Sequence, residues 1–571
     1  MNIQPFRMYI TPISPVHIGA GESYEPSNYV IDDGWLHEFD TGAVLSALTA
    51  SDRKLLLEIG NRKPDVGMIK SLQQFFFDRR EKLMAYAVCS LPVLPSIDKL
   101  YRDRVGQAAN READGGQVVN RLEIDRTAYD SVGRRPVMFG SSLKGSMRTA
   151  ILNFANGGRP TYEKQGLHPF QGQLLDYNQR GKLALELDPL RLLQPSDAHC
   201  THDASPSSEV LLAVNRKKAS VIDTGGNVRR SQAEAKDLYQ ILECVLPWQH
   251  RGFSGQLNVQ RLDGIPAMDQ KGIRRIPEMA RWPNVESLSL ACNDFYIGRF
   301  EAEMKVLRQR RFVDQEWDDA ASALVAHIGA QRDSGRMFLL RVGRHSGAES
   351  VTLDGVRKIK IMAGKGQQST TDTSAKTLWL AAQHKDQAQG LMPFGWVVVE
   401  LDPFEARPEP NSLLAECCST HASYSRELRT ELVALRSGLE QKRHAVEALQ
   451  RQDAETAARQ SAALAEAARV EAERLVAKAA LTPNLRLVED FNEFARARYA
   501  ELRGSKERPN EGSHQRVRQL AKSAHEDTDW TSAEKLAVAL AIEGWLPKLV
   551  DRIDIKDERK KLKLNLLKTP S

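Results

Sequence analysis

The sequence has few cysteines, and they lack the spacing of a disulfide framework. The chain of 571 residues has six, at Cys89, Cys200, Cys244, Cys292, Cys417 and Cys418, without a Cys-x-x-Cys pair. Disulfide frameworks belong to short, cysteine-rich secreted domains. We therefore expect no such framework, and the composition favours a reducing compartment.

Long hydrophobic runs are missing as well. The longest runs, such as residues 396–399, are far shorter than the roughly 20 apolar residues that a transmembrane helix needs. Residues 1–5 pass directly into an alternating pattern, without the basic and apolar regions of a signal peptide. We therefore expect a cytoplasmic protein with no membrane partner.

A strong excess of charge is the third absence. Lys and Arg number 80 and Asp and Glu number 74, which gives a net charge of +6. This excess is small for the length, so a site for a polyanion must come from local clustering of cations.

The chain does have an ordinary globular composition, 41% hydrophobic and 27% charged, which excludes wholesale disorder. Its length suggests about four domain-sized units.

Alternating and helical hydrophobic patterns predict an α+β protein. Strands are expected at residues 6–13, 29–31, 35–39, 136–139, 210–214, 253–259, 337–342 and 395–401, and helices at 41–59, 66–86, 140–154, 232–245, 291–309 and 314–329. Residues 103–135 suggest a mobile basic protrusion, and residues 196–208 a polar loop. The elements divide into a first module at 1–265, which includes a glycine-rich loop, and a second α+β module at 266–408.

The C-terminal part of the sequence predicts helices. Residues 425–480 contain no proline and no aromatic residue, and apolar residues recur there at four- and three-residue steps, at Leu428, Leu432, Leu435, Leu439, Val446 and Leu449. This spacing predicts an alanine-rich helical hairpin or coiled coil over 409–481, either folded on the body or paired with another chain. A helical region follows at 482–571, in which Thr531 and Glu534 have the spacing of a capping box.

The first candidate site is the sequence Gly-Ser-Ser-Leu-Lys-Gly at residues 140–145, at the start of a predicted helix. Free backbone N–H groups and the helix dipole make such an end an anion site. Lys144 and Arg148 lie four residues apart, on one helical face, and add positive charge. A nucleotide P-loop requires Gly-Lys-Ser/Thr, whereas the order here is Lys-Gly-Ser, so polynucleotide phosphate is the better ligand. The alternative is an ordinary capped helix with surface cations.

The second candidate is His17, which precedes Gly19 and Gly21 in a turn after the first predicted strand. Because its unperturbed pKa lies near neutrality, it could move a proton in metal-independent RNA cleavage. A lone loop histidine is more often a hydrogen-bonded turn residue or a group that stacks on RNA.

Residue types that bind metals cluster in the predicted polar loop. His199, Cys200, His202 and Asp203 lie close together, with Asp197 nearby. Ligands this close in sequence, without a distant fourth, do not make a good tetrahedral zinc site. We therefore predict no metal site and no cofactor.

Basic residues recur on the loops and strand ends of both modules. They comprise Arg216, Lys217, Lys218, Arg229, Arg230, Arg341, Arg344, Lys358, Lys360 and Lys365. A second glycine-containing turn, residues 343–347, follows the strand predicted at 337–342. Basic loops neutralise nucleic-acid phosphates without sequence preference. Their recurrence beside two glycine turns makes RNA binding the leading hypothesis.

Several of these segments also resemble a known family. Residues 11–22, residues 29–31 and the segment 140–145 with Arg148 resemble the RAMP superfamily of CRISPR proteins. The order of the motifs is most similar to the Csm-type subunit that caps type III-A effector complexes, the fifth Csm subunit. The resemblance spans about residues 1–405. The helical segment 412–481 is not associated with that family, and residues 344–346 replace its glycine-richer loop.

The resemblance implies tandem ferredoxin-like, RRM-like modules and a subunit that binds the 3′ part of CRISPR RNA (crRNA). Such a subunit caps the backbone of the effector and supports crRNA maturation in antiviral defence. Its partners are crRNA and the other subunits of the ribonucleoprotein. Because target cleavage in the family belongs to another subunit, no catalytic residue is expected.

Taken together, these observations predict an RNA-binding protein. The candidate RNA-binding residues are His17, Gly19, Gly21, Gly140, Ser141, Ser142, Lys144, Gly145, Arg148, Arg216, Lys217, Lys218, Arg344 and His345. One alternative is a metal-independent endonuclease that processes crRNA with His17. Another is a scaffold whose helical segment 412–481 recruits a protein partner.

Overall fold

The structure is a computed structural model of the chain. It describes residues 2–25, 27–106, 110–111, 117–118, 122–160, 167–175, 177–179, 182–183, 185, 188–201, 208–222, 225, 228–229, 238–261, 284–361, 368–403 and 412–569. The chain divides into two compact units, residues 1–446 and residues 447–571.

Two sheets organise the first unit. The larger has seven strands in the order Met337–Arg341, Trp396–Pro403, Asn2–Pro12, Phe253–Arg261, Ala198–Cys200 and Val137–Met138, with Leu193–Pro195 also paired to Phe253–Arg261. These pairings are antiparallel. The strand predicted at 6–13 is confirmed as Asn2–Pro12, because its alternating Phe6, Met8 and Ile10 are buried.

The second sheet has six strands. Their order is Gly19–Tyr24, Ile124–Thr127, Tyr239–Val245, Ser208–Lys217, Thr377–Ala382 and Met392–Pro393. The pairing of Tyr239–Val245 with Ile124–Thr127 is parallel, and the other pairings are antiparallel. Nine of the ten residues of Ser208–Lys217 are buried, as expected of a central strand covered on both faces.

Smaller sheets and helices complete the first unit. The smaller sheets are Tyr29–Asp32 with Trp35–Glu38 and Cys89–Pro92, Asn110–Arg111 with Gln117–Val118, Asn178–Gln179 with Lys182–Leu183, Val221–Ile222 with Val228–Arg229, and Ile359–Ile361 with Thr370–Asp372. The α-helices are Thr41–Ala47, Ala50–Gly60, Val66–Asp78, Arg80–Met84, Pro95–Arg104, Gly140–Asn156, Leu167–Leu174, Val285–Gln309, Gln315–Ala330 and Ser412–His421, and the 3₁₀ helices are Pro189–Leu192 and Ala348–Val351.

The main core lies where the larger sheet meets the helix Val285–Gln309. This helix also packs on the helix Gly140–Asn156. Tyr296 and Phe300 make edge-on contacts with Trp396 of the sheet, with ring centroids 6.4 and 5.3 Å apart. Buried aromatic pairs of this geometry hold a helix at a defined position on a sheet.

One predicted helix is wrong. Residues 239–245, which fall within the helix predicted at 232–245, form the strand Tyr239–Val245. Residues 232–237 lie outside the described residues. The strand is paired on both sides, and Leu242 and Cys244 are fully buried. Pairing with two distant strands satisfies the backbone groups and buries these side chains, and this overrides the local helical pattern.

Two predicted loops contain strands. Ile124–Thr127 lies within the protrusion predicted at 103–135, and Ala198–Cys200 within the loop predicted at 196–208. Both are short and take partners far away in the sequence, so no local periodicity marks them.

Strands from both predicted modules lie in each sheet. Trp396–Pro403 pairs with Asn2–Pro12 in the larger sheet, and Thr377–Ala382 pairs with Ser208–Lys217 in the second. The sequence position 265/266 therefore does not separate two sheets.

The segment predicted as a helical hairpin or coiled coil, residues 409–481, contains the short helix Ser412–His421 and one long continuous helix, Ser423–Ala479, which includes the boundary between the units. Leu428 and Leu432 are buried in the first unit, whereas Leu449, Leu464 and Leu475 of the second unit are exposed. The helix has no turn because residues 423–479 lack proline and have a single glycine.

The second unit is helical. After Ser423–Ala479 it contains Pro483–Leu502, Gly512–Glu526, Ser532–Leu549, Ile555–Lys561 and Leu564–Lys568. The predicted capping box is confirmed, since Thr531 and Glu534 bond each other's backbone N–H groups at the start of Ser532–Leu549. None of the described helices combines the length with the apolar composition that crossing a bilayer requires.

Candidate nucleic-acid interface

The helix Gly140–Asn156, here called the glycine helix, starts against the larger sheet. Its N-cap residue Phe139 makes no side-chain capping bond. The backbone N–H of Gly140 instead donates to Asp197 Oδ1 at 2.7 Å. A Cβ at this position would lie 2.4 Å from the carbonyl oxygen of Pro195. Gly140 therefore serves close packing, and its N–H is already bonded to a carboxylate rather than free for a ligand.

The outward face of the glycine helix carries the predicted cation. Ser141 and Gly145 are exposed and Lys144 is half-buried. No carboxylate of the described residues lies within ion-pair distance of Lys144, and burial lowers its pKa although Asp188 acts in the opposite direction. A Cβ on Gly145 would meet only open space. This face can therefore approach a polyanion closely, with one ammonium group to neutralise it.

Arg148 lies one turn further along, and its charge is already paired within the fold. Its guanidinium forms an ion pair with Asp188, Nη1 to Oδ2 at 2.7 Å. It also donates to the hydroxyl of Tyr177 at 2.8 Å. Arg148 thus fixes the glycine helix to the segment around Asp188, and the prediction that it contacts RNA has no support from its position.

His17 is a buried support beneath the first glycine turn, residues 17–21. Its side chain is 1% exposed, and Nδ1 lies 2.7 Å from the carbonyl oxygen of Glu243, to which it donates. Burial lowers its pKa, although that hydrogen bond acts in the opposite direction. The imidazole therefore has no open path to a ribose, and the predicted roles of its side chain in RNA contact and in catalysis are corrected to a structural one.

The second glycine turn, residues 343–347, packs directly on the first. Arg344 N donates to the carbonyl oxygen of His17 at 2.8 Å. Gly343 has a φ of +79°, and a Cβ there would lie 2.3 Å from the same oxygen, so only glycine fits. Ser146 of the glycine helix donates to the carbonyl oxygen of Arg341 at 2.7 Å. The structure therefore brings the two glycine turns and the glycine helix into one surface, here called the glycine junction.

The two candidate residues of the second turn, Arg344 and His345, differ in charge. Arg344 forms an ion pair with Asp125, Nη1 to Oδ2 at 2.5 Å, and its side chain is 40% exposed. His345 stacks on Trp379 with ring centroids 4.8 Å apart. Burial and the nearby charge of Arg344 lower the pKa of His345 to about 3. His345 is therefore neutral near pH 7 and adds no charge to the surface.

The basic run 216–218 lies outside the glycine junction, and its first residue is internal. Arg216 is 5% exposed and donates to the backbone carbonyls of Asn215, Lys385 and Gln387. Lys217 is half-buried at the end of the strand Ser208–Lys217. Lys218 forms an ion pair with Glu349 at 2.5 Å. The strand predicted at 210–214 is longer and continues through Lys217, so Arg216 and Lys217 belong to its end and only Lys218 follows it.

Two acidic residues that the sequence reasoning missed organise the glycine junction. Asp125 pairs with Arg344, and the carboxylate of Glu243 accepts from the hydroxyls of Tyr24 and Ser208 at 2.9 and 2.7 Å. Burial raises the pKa of Glu243, against these hydrogen bonds. The sequence did not indicate their role, because Asp125 lies in the protrusion predicted at 103–135 and Glu243 in the helix predicted at 232–245.

Three of the five residues of metal-binding types at 197–203 lie among the described residues. Asp197 bonds Gly140 N, and His199 and Cys200 lie on the strand Ala198–Cys200. His202 and Asp203 lie outside the described residues, as do Arg230 and Lys365 of the basic set. Within the described part of the chain, no group of three or more metal-binding side chains is placed to hold an ion.

In a comparison with known proteins, one family model matches the N-terminal part of the first unit. The model of the RAMP superfamily matches residues 9–187, a range that includes the first glycine turn and the start of the glycine helix but not the second turn. This match confirms the predicted resemblance to the RAMP superfamily over these residues. No curated protein matches the sequence.

Two solved structures resemble the chain at low identity. One is in the structure titled "Cryo-EM structure of Csm-crRNA-target RNA ternary complex in type III-A CRISPR-Cas system", with 17% identity, a TM-score of 0.39, and coverage of 70% of this chain and 100% of the other. The second is Csm5 of T. onnurineus, with 16% identity, a TM-score of 0.36, and coverage of 69% and 99%.

Proposed function

We propose that this protein is an RNA-binding subunit of a type III CRISPR effector ribonucleoprotein. It binds the 3′ part of crRNA, caps the backbone of the effector, and supports crRNA maturation. The observation that carries the proposal is the RAMP superfamily match over residues 9–187, since it includes two of the three segments of the glycine junction. The motif order in the sequence, which resembles the Csm-type capping subunit, supports the choice of subunit.

The proposed contact surface is the outward part of the glycine junction. It consists of Gly19, Gly21, Ser141, Lys144 and Gly145, with Arg344 at the side. The four small residues allow a close approach of the RNA backbone, and Lys144 supplies charge. Such contacts position RNA without reading its sequence, so the bases stay available for pairing with a target.

The larger sheet is proposed to be a ferredoxin-like module. Its strands and helices follow the order strand, helix, strand, strand, helix, strand, a pattern typical of that module. The elements are Asn2–Pro12, Gly140–Asn156, Ala198–Cys200, Phe253–Arg261, Val285–Gln309 and Trp396–Pro403. A ferredoxin-like sheet would be consistent with the RRM-like binding of single-stranded RNA.

Lys144→Ala and Ser141→Asp test the surface without touching the core. We expect each to weaken the binding of a fluorescent single-stranded RNA to the full chain by about three- to tenfold. Removing one phosphate contact should also reduce the salt slope of Lys144→Ala by about 0.7. An acid at Ser141 suits the start of a helix, so the fold should not suffer.

Lys305→Ala is the matched control, because Lys305 is an exposed lysine of another helix. Equal RNA affinity in Lys144→Ala, Lys305→Ala and the unchanged protein at all salt concentrations would contradict the proposed surface. Purification of the tagged protein from its host tests the assembly: crRNA and further effector subunits should co-elute, and their absence would contradict the subunit assignment.

A further inference from the structure

A second group of cations lines a cavity of about 350 Å³ in the first unit. It is formed by the helix Val285–Gln309, residues 347–357, the end of the strand Met337–Arg341 at Arg341, and the strand ends around Lys218 and Leu378. It borders the second glycine turn at Gly347 but includes none of the proposed RNA-contact residues. This volume is in the range of small-ligand pockets.

Two arginines at this cavity share a single carboxylate. Arg299 Nη2 lies 2.5 Å from Asp354 Oδ2, and Arg357 Nη2 lies 2.9 Å from Asp354 Oδ1. Burial and the charge of Arg299 lower the pKa of Arg357, whose side chain is only 9% exposed. Two guanidinium groups held this close, with one carboxylate between them, leave one positive charge uncompensated.

The remaining charges around the cavity cancel in pairs. Lys218 pairs with Glu349 at 2.5 Å, and Arg341 pairs with Glu303 at 2.8 Å, where both side chains are buried. Burial alone would raise the pKa of Glu349, but the hydrogen bond and charge of Lys218 lower it to about 2. Glu349 is therefore ionised near pH 7, and because Arg341 is paired with Glu303, the excess charge is the one at the two arginines.

Hydroxyl groups add hydrogen-bond donors to the cavity. The hydroxyls of Ser350, Thr373 and Ser374 line the cavity as well. Together with the two guanidinium groups, these hydroxyls can bond the oxygens of an anion.

We propose that this cavity binds a phosphate group carried by a nucleotide. A phosphate group carries between about one and two negative charges near pH 7, which more than offsets the excess positive charge at Arg299 and Arg357. Guanidinium groups bind phosphate through paired N–H donors, and hydroxyl groups can donate to the remaining oxygens. The phosphate belongs to a free nucleotide or to an RNA, and only the second source rests on the proposed function.

Thermal unfolding of the full chain tests the pocket, with sodium phosphate, AMP and sodium chloride as probes at equal ionic strength. We expect AMP to raise the unfolding temperature above the value in chloride, because a ligand of the native state stabilises it. Arg299→Gln should weaken AMP binding about tenfold, the effect of losing one charge-assisted bond. Arg332→Gln, which removes a surface arginine paired with Asp294, should leave it unchanged.

Thr373→Asp keeps the test decisive if Arg299→Gln fails to fold. Thr373 is exposed at the cavity, so an acid there should repel the anion without removing a buried group. Loss of the AMP effect in this variant supports the pocket. An AMP effect no larger than that of chloride, or one that Thr373→Asp leaves intact, overturns the proposal.

Two further measurements distinguish the possible sources of the phosphate group. A stabilisation by sodium phosphate equal to that by AMP supports a site for the phosphate group alone, whereas tighter binding of a 5′-phosphorylated RNA than of its 5′-hydroxyl form supports an RNA end. Lys144→Ala should keep the AMP effect. If that variant and the unchanged protein bind RNA equally while AMP still stabilises both, the proposed function fails and the pocket stands.

Discussion

The two units of the chain obtain their structure in different ways. In the first, residues far apart in the sequence make the decisive contacts: His17 bonds the carbonyl of Glu243, and Gly343 lies against the carbonyl of His17. In the second, many polar contacts are local, as in the capping box of Thr531 and Glu534. The comparison shows that turns from distant parts of the sequence form one surface only when a sheet holds them together. A helix cap, in contrast, is made by residues that are neighbours in the sequence.

Gly343→Ala should produce the largest loss, because it breaks a long-range contact of the first unit. The new Cβ meets the carbonyl oxygen of His17 in a backbone conformation with positive φ. Strain and overlap together should cost about 4 kcal/mol of unfolding free energy. Urea denaturation measures the loss. A cost under about 1 kcal/mol would show that the two glycine turns do not depend on each other.

Glu209→Gln should change the pH dependence of stability in the first unit. Glu209 accepts a hydrogen bond from Tyr424, and burial raises its pKa from 4.5 to about 7 despite that bond. The native state therefore holds a proton that the unfolded state releases above about pH 4.5, and the unchanged protein loses stability as the pH rises to about 7. Relative to the unchanged protein, the free energy of unfolding of the variant should rise by up to about 3 kcal/mol between pH 5 and pH 8.

Glu534→Gln in the second unit should change the pH dependence of stability in the opposite direction. Hydrogen bonds from Thr482 and from the backbone of Thr531 lower the pKa of Glu534 to about 2. Its contribution to stability is present above about pH 4.5 and disappears as the pH falls toward 2. Denaturation curves at several pH values measure both variants. A pH-independent difference between Glu209→Gln and the unchanged protein would contradict the first assignment.

Thr531→Ala should have a moderate effect, because it removes a local contact of the second unit. Loss of an N-cap hydroxyl costs about 1 kcal/mol. Thr531→Ser, which keeps the hydroxyl, is the matched control and should stay close to the unchanged protein. Far-UV circular dichroism during urea denaturation measures the difference. A cost as large as that of Gly343→Ala would remove the contrast between local and long-range contacts.

Gly544→Ala should give the smallest effect, with the opposite sign. Gly544 lies inside the helix Ser532–Leu549, and a Cβ there meets no atom within 4 Å. Replacing a helical glycine by alanine should stabilise the second unit by roughly 0.5–1 kcal/mol. The same denaturation experiment measures the gain. A loss at this position would mean that the helix is closely packed on that side.

The sequence predicted the elements whose pattern is local. The strand Asn2–Pro12, the glycine helix, the helix Val285–Gln309 and the Thr531 cap follow from alternation, helical spacing and capping residues. The strand Tyr239–Val245 did not follow, because its seven residues fit a short helix as well and two distant strands decide between them.

The candidate site divides along the same line. Residue type and spacing indicated the glycine turns and Lys144 as candidates, but they could not show that Arg148 is paired with Asp188 or that Arg216 is buried. An arginine at the end of a local pattern has the same sequence signal whether it reaches solvent or a buried carbonyl. Only the position of Asp188 for Arg148, and of the carbonyls of Lys385 and Gln387 for Arg216, separates these cases.

By itself, the sequence determined the mixed α+β class, the helical C-terminal region, the two glycine motifs and the RAMP resemblance, because each rests on short-range pattern or residue identity. The tertiary structure decided which of these motifs meet. It also decided that His17 supports the junction from inside, and that Arg299 and Arg357 share Asp354. The position of the first glycine turn depends on strand pairing across more than two hundred residues, and burial and charge balance are set only when separate segments of the chain come together.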